Sequence, residues 1–111
     1  MKSILWVGLA IFCNVGAQVA LKLGATTEIR LQSLLSWPVL CGVFLYGIAF
    51  ILTIRIYADY PLGVISPLMA GAIFLMINLV SVVVFSEALT LEKLGGMALI
   101  VLGIALLSRS A

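Results

Sequence analysis

Apolar residues in this chain run rather than alternate. Four apolar stretches, 4–21, 38–54, 62–85 and 94–107, are separated by short segments that hold most of the charge. A helix crossing the hydrocarbon layer needs about 20 residues at 1.5 Å rise each. The pattern predicts spans at 3–23, 36–57, 61–86 and 90–108. The first three reach the required length with their flanks. The fourth run covers only ~21 Å by itself, so it needs Leu89, Leu91 or Ser108 to extend it, or locally thin lipid. Membrane-spanning strands would be ~10-residue alternating segments, and no stretch alternates in that way. The expected fold is therefore all-α and integral to the membrane, a single four-helix transmembrane domain over 1–111.

Composition agrees with the pattern. Of 111 residues, 65% are hydrophobic and 9% carry charge, against roughly 25% charged in a soluble domain. Such a chain cannot cover a water-facing surface. The first stretch follows Lys2 as a secretory signal would, but Asn14 and Gln18 interrupt it, and a signal's apolar region is continuous; it is expected to be retained. Cys13 and Cys41 lie in apolar runs, with no histidine and no CxxC motif. They read as small buried thiols rather than metal ligands or a disulfide. No nucleotide loop, catalytic triad or metal cluster can be discerned. The expectation is a protein that is not an enzyme, with no cofactor, no metal and no nucleic-acid partner.

Charge leaves the orientation open. With four spans, Lys2, Arg55 and Arg109 fall on or near the side of the termini and Lys22, Arg30 and Lys93 on the other. Positive residues normally decide which side faces the cytoplasm, and here they tie. Either another subunit or the insertion machinery settles the orientation, or copies insert both ways and pair antiparallel.

The candidate chemistry lies in FCNVGAQVALKLG, residues 12–24. On a helix Asn14, Gln18 and Lys22 form one slowly drifting stripe. Unpaired polar groups inside a membrane cost several kcal/mol, so the stripe must face other helices or a wet cavity. Each amide alone reads as an interhelical hydrogen-bond partner worth about 1 kcal/mol, and Lys22 alone as a snorkelling anchor. The aligned trio favours a cavity lining. Neither amide titrates, and Glu28, Asp59, Glu87 and Glu92 all fall at helix ends or in connections. A proton-coupled cation pump would use an embedded carboxylate. Amides grading into a cation suit a neutral polyol joined to an anionic group, such as a sugar phosphate.

Other residues add smaller signals. Pro67 removes a backbone bond one turn into the third span and is a candidate hinge. Asn78 and Ser81 are expected to pack against another span. Arg55 is by default an interfacial anchor and alternatively a lipid-phosphate contact. Trp6, Trp37, Tyr57 and Tyr60 mark the interfaces. Gly96 and Gly103, seven apart with Ile100 between them, form a stripe that permits close helix approach in lipid. Four short helices enclose little space, so a walled pathway calls for a dimer.

These motifs resemble the four-span drug/metabolite transporter superfamily, near the small multidrug resistance proteins, over nearly the whole length. NVGAQVALKLG resembles the exporters' first-span motif, YPLGVISPLMAG their third-span opening, and GGMALIVLGIALLS their glycine-spaced dimer helix. The resemblance implies a four-helix protomer paired antiparallel through its last helix, Gly96, Ile100 and Gly103 included. Asn14 stands where those exporters carry their essential glutamate. Ser66 and Met69 stand where they carry a substrate-facing tyrosine and tryptophan. A carboxylate with aromatic faces is what holds lipophilic cations, and both halves are replaced here. The subunits of the aminoarabinose-phosphoundecaprenol flippase also lack the glutamate. They are similar to this chain at VGAQVALK, PLGVISPL and FSEAL, the last containing Glu87. That resemblance implies translocation of a polyprenyl-phosphate-linked sugar across the bacterial inner membrane. The expected cargo contacts are Asn14, Gln18 and Lys22, with Ser66 opposite and Arg55 as a second cation. The implied assembly is a homodimer, or a heterodimer with a related small subunit. Two alternatives stay open: a small multidrug or metabolite exporter, and a non-transporting membrane subunit of a partner enzyme or transporter.

Overall fold

The structure is a computed structural model that describes residues 2–28 and 30–110, with the side chains of Lys2, Ser3 and Ser110 outside that description. Five helices follow in order: α1 Lys2–Gly24, α2 Leu31–Leu34, α3 Trp37–Asp59, α4 Leu62–Val83 and α5 Leu91–Ser110. Four of them, all except α2, are long and apolar enough to cross a membrane. By length and composition this is a multi-pass membrane protein. The spans fall where the apolar runs predicted, with the largest shift at the end of α4. Ser86 takes a left-handed backbone, φ 54°, and the Glu87 N–H turns back to donate to the Ser81 carbonyl at 3.0 Å. That turn ends α4 at Val83 rather than at 86.

Internal contacts divide the chain into two compact units, Met1–Ala58 and Asp59–Ala111. In the first, α1 and α3 form an antiparallel hairpin whose register is set by small residues. A Cβ built on Gly24 would meet Val39 at 2.8 Å and Pro38 at 3.1 Å; one on Gly42 would meet Leu21 at 2.9 Å and the Ala17 carbonyl at 3.2 Å. One on Gly16 would meet Leu45 at 3.3 Å. Backbones approach this closely only where side chains are small, which is how helices gain dispersion contacts when lipid supplies no hydrophobic drive. Ala10, Val15, Ala17, Ala49, Leu52 and Ile56 are buried. The connection holds the short helix α2, where the Arg30 N–H donates to Ser33 Oγ at 2.9 Å and that hydroxyl donates to the Arg30 carbonyl at 2.7 Å. Arg30 also pairs with Glu28 at 2.7 Å on the exposed surface.

In the second unit α4 packs along α5. A Cβ on Gly71 would lie 2.9 Å from Ile104 and 3.2 Å from Ile100. The half-covered positions of α5 are Lys93, Met97, Ile100, Gly103, Ile104 and Leu107, one line at helical spacing. No part of the α5 span is fully buried. Thr90 caps α5 by accepting the Lys93 N–H at 3.1 Å, and Lys93 reaches Glu87 across the connection at 3.9 Å.

Candidate functional site

The amide stripe lies on α1. Gln18 Nε2 donates to Asn14 Oδ1 at 2.9 Å, and both residues are half-buried. A step of four residues turns a helix by about 40° beyond a full revolution. The stripe therefore begins beside the α3-facing line of Ala17, Leu21 and Gly24 and turns away from it towards Lys22. Lys22 is exposed in the last turn of α1. There its charge faces the carbonyl end of the helix, a favourable place for a cation.

The mutual bond leaves Asn14 Nδ2 as a donor and Gln18 Oε1 as an acceptor, neither with a partner among the described residues. Neither atom is sealed in: the buried side-chain polar atom without a partner among the described residues is Ser36 Oγ. A free donor beside a free acceptor, fixed by the bond between their amides, matches a hydroxyl group, which both donates and accepts.

The other polar residues within the spans serve their own helices. Thr53 Oγ1 donates to the Ala49 carbonyl at 2.7 Å, Asn78 Nδ2 to the Phe74 carbonyl at 2.9 Å, and Ser81 Oγ to the Asn78 carbonyl at 2.9 Å. Asn78 and Ser81, expected to pack against another span, make these bonds along α4 and are half-buried. Ser66 is half-buried on α4 and makes no side-chain hydrogen bond among the described residues. Pro67 follows it inside α4, depriving the Gly63 carbonyl of its helical donor.

The two candidate cations do not come together. The α1–α3 register sets Gly24 beside Val39 and Leu21 beside Gly42, so Lys22 lies level with the start of α3, while Arg55 lies near its far end. They are boundary groups at opposite ends of one hairpin and cannot clasp one phosphate within it. The glycine stripe of α5 also divides. Nothing stands within 4 Å of a Cβ on Gly96 or Gly103, so both remain open to close approach. Ile100 faces Gly71 and belongs to the α4–α5 packing, which the seven-residue spacing alone could not reveal.

No protein-family model matches this chain, and no curated protein matches it either.

Proposed function

We propose that this protein is a flippase-type membrane transporter that moves a polyprenyl-phosphate-linked sugar, or a related lipid, across the bacterial inner membrane. The observation that carries the reading is the bonded Asn14–Gln18 pair, half-buried in a span, with one amide donor and one acceptor left over. An uncharged pair of this kind holds sugar hydroxyls without requiring a counter-ion. Lys22 at one end of the hairpin and Arg55 at the other give a phosphate a partner at each membrane boundary. The polyprenyl tail stays in lipid, so the chain needs to shelter only the headgroup. Ser66 is a further hydroxyl contact on α4, and Pro67 inside that helix and the open positions at Gly96 and Gly103 would give a dimer its moving parts. The likeness to the aminoarabinose-phosphoundecaprenol flippase subunits points the same way. The acids of the spans stand at their ends, Asp59 closing α3 and Glu92 in the first turn of α5, and the lack of one near mid-span weighs against export of lipophilic cations.

A second reading, a non-transporting subunit, is favoured by α5, whose span has no fully buried residue and therefore has surface for company. One experiment separates the two. The full chain is reconstituted with a polyprenyl-phosphate sugar, and headgroup accessibility to an impermeant reagent is followed from one side. Translocation in the wild type that is lost in Asn14→Leu/Gln18→Leu, with the protein still folded, supports transport. No translocation by the wild type, alone or with a co-expressed partner subunit, leaves the subunit reading.

A further inference from the structure

We infer that the connection between α1 and α3 is a membrane-surface anchor, with α2 lying along the bilayer and Leu31, Leu34 and Leu35 sunk into its acyl boundary. At about 100° per residue the three leucines share one side of α2, and Gln32 and Ser33 take the other. The leucine side is open: Leu31 is 73% exposed, Leu34 49% and Leu35 59%. Apolar side chains gathered on one side of so short a helix are unfavourable in water and mark a surface that meets an apolar phase.

The length of the chain puts the bilayer surface within reach. One candidate span ends at Gly24 and the next begins at Trp37. Trp37, 78% exposed, and Tyr57, 41% exposed, are twenty residues apart on α3. That is about 30 Å at the helical rise, the thickness of the hydrocarbon core. Exposed tryptophan and tyrosine at this separation mark the two headgroup levels. Leu34 comes three residues before Trp37. Three residues reach at most ~11 Å, and α2 itself adds only ~5 Å. The tether thus holds α2 at or just outside the headgroup layer, where amphipathic segments lodge with their apolar side ~5–10 Å deep. The backbone is prepared for that place. The Arg30 N–H donates to Ser33 Oγ at 2.9 Å. The N–H groups of Leu34, Leu35 and Ser36 donate to the carbonyls of Arg30, Leu31 and Ser33 at 3.1, 3.1 and 3.3 Å. Donors satisfied inside the segment need no water. Arg30 and Glu28, paired and exposed, keep their charges at headgroup depth. The inference does not depend on transport, since a passive subunit would be anchored in the same way.

The test uses the full chain with Cys13→Ala and Cys41→Ala, spin-labelled one position at a time through Leu31→Cys, Gln32→Cys or Leu34→Cys, in phosphatidylcholine–phosphatidylglycerol vesicles. Relaxation by oxygen, which concentrates among acyl chains, is compared with relaxation by a nickel chelate, which stays in water. The oxygen-to-nickel ratio should be at least about threefold higher at the two leucine positions than at the Gln32 position. Equal ratios at all three, with nickel dominant, overturn the inference, because α2 then stands in water. Low collision rates with both reagents at the leucine positions overturn it too, because a second copy or another protein then covers them. A second pair of variants is independent of the cysteine changes. With Trp6→Phe and Trp37→Phe, Leu34→Trp should be quenched mainly by chain-brominated lipid and Gln32→Trp mainly by iodide. The same preference at both positions overturns the inference.

Discussion

Gly42 and Gly47 lie on the same helix, five residues apart, in opposite surroundings. A methyl group added at Gly42 would sit 2.9 Å from both Cγ and Cδ2 of Leu21 and 3.2 Å from the Ala17 carbonyl, whereas one at Gly47 would meet nothing within 4 Å. Alanine gains about 1 kcal/mol over glycine in either helical position, and that gain cancels when the two variants are compared. What remains is the overpacking at Gly42, about 1–3 kcal/mol. The lower half of that range applies if the Leu21 side chain swings aside, and the upper half if the α1 backbone at Ala17 must also move. Gly47→Ala should therefore be as stable as wild type or more so, and Gly42→Ala about 2 kcal/mol less stable than Gly47→Ala. Unfolding by SDS in mixed micelles, followed by far-UV circular dichroism, measures both. Equal midpoints, or a more stable Gly42→Ala, would refute the α1–α3 register and with it the placement of Lys22 and Arg55 at opposite ends.

Two further outcomes use the same assay. Asn14→Leu and Gln18→Leu should each cost about 1 kcal/mol, because each leaves the other amide without its bond; the double variant should cost less than the sum, and strict additivity would mean the amides do not hold one another. Ser86→Gly should stabilise by about 1 kcal/mol and Ser86→Val should destabilise by a similar amount, since the left-handed φ of 54° suits glycine and is hard for a β-branched residue; the reverse order would place the end of α4 elsewhere.

Span positions were legible because a run of apolar residues bounded by charge has few other solutions. The end of α4 was not, because the valines and phenylalanine at 82–85 continue the apolar run straight through the point where Ser86 turns the backbone. The short helix α2 was missed because four residues are too few for periodicity to register; it is held by a reciprocal bond between Arg30 and Ser33. For the amide stripe, spacing revealed that Asn14 and Gln18 share a side of α1. It could not tell whether each would bond to another helix or, as the structure has it, to its neighbour. The same blindness applied to Ile100: a stripe of glycines says that approach is possible, not which residue between them already faces α4.

The chemistry of the stripe also constrains how a carrier built on it would run. An amide pair does not titrate, so it cannot take up cargo in one protonation state and release it in another. With a cation at each boundary and no acid between, a carrier that worked through the stripe alone would hold no group there to couple passage to a proton. A carrier of this kind equilibrates its cargo, and direction comes from supply on one side and consumption on the other. Detailed balance then makes a sharp demand. If the cargo is a lipid phosphate, Lys22→Ala would remove a partner at one boundary only, yet with equal cargo on both sides it must slow translocation by the same factor in both directions. The rate should also change less than about twofold under an imposed pH gradient. Both are measured in sided proteoliposomes with the lipid-linked sugar loaded symmetrically. A loss confined to one direction, or acceleration by the gradient, would show an energy input that these spans do not account for, and would point to a partner subunit as its source.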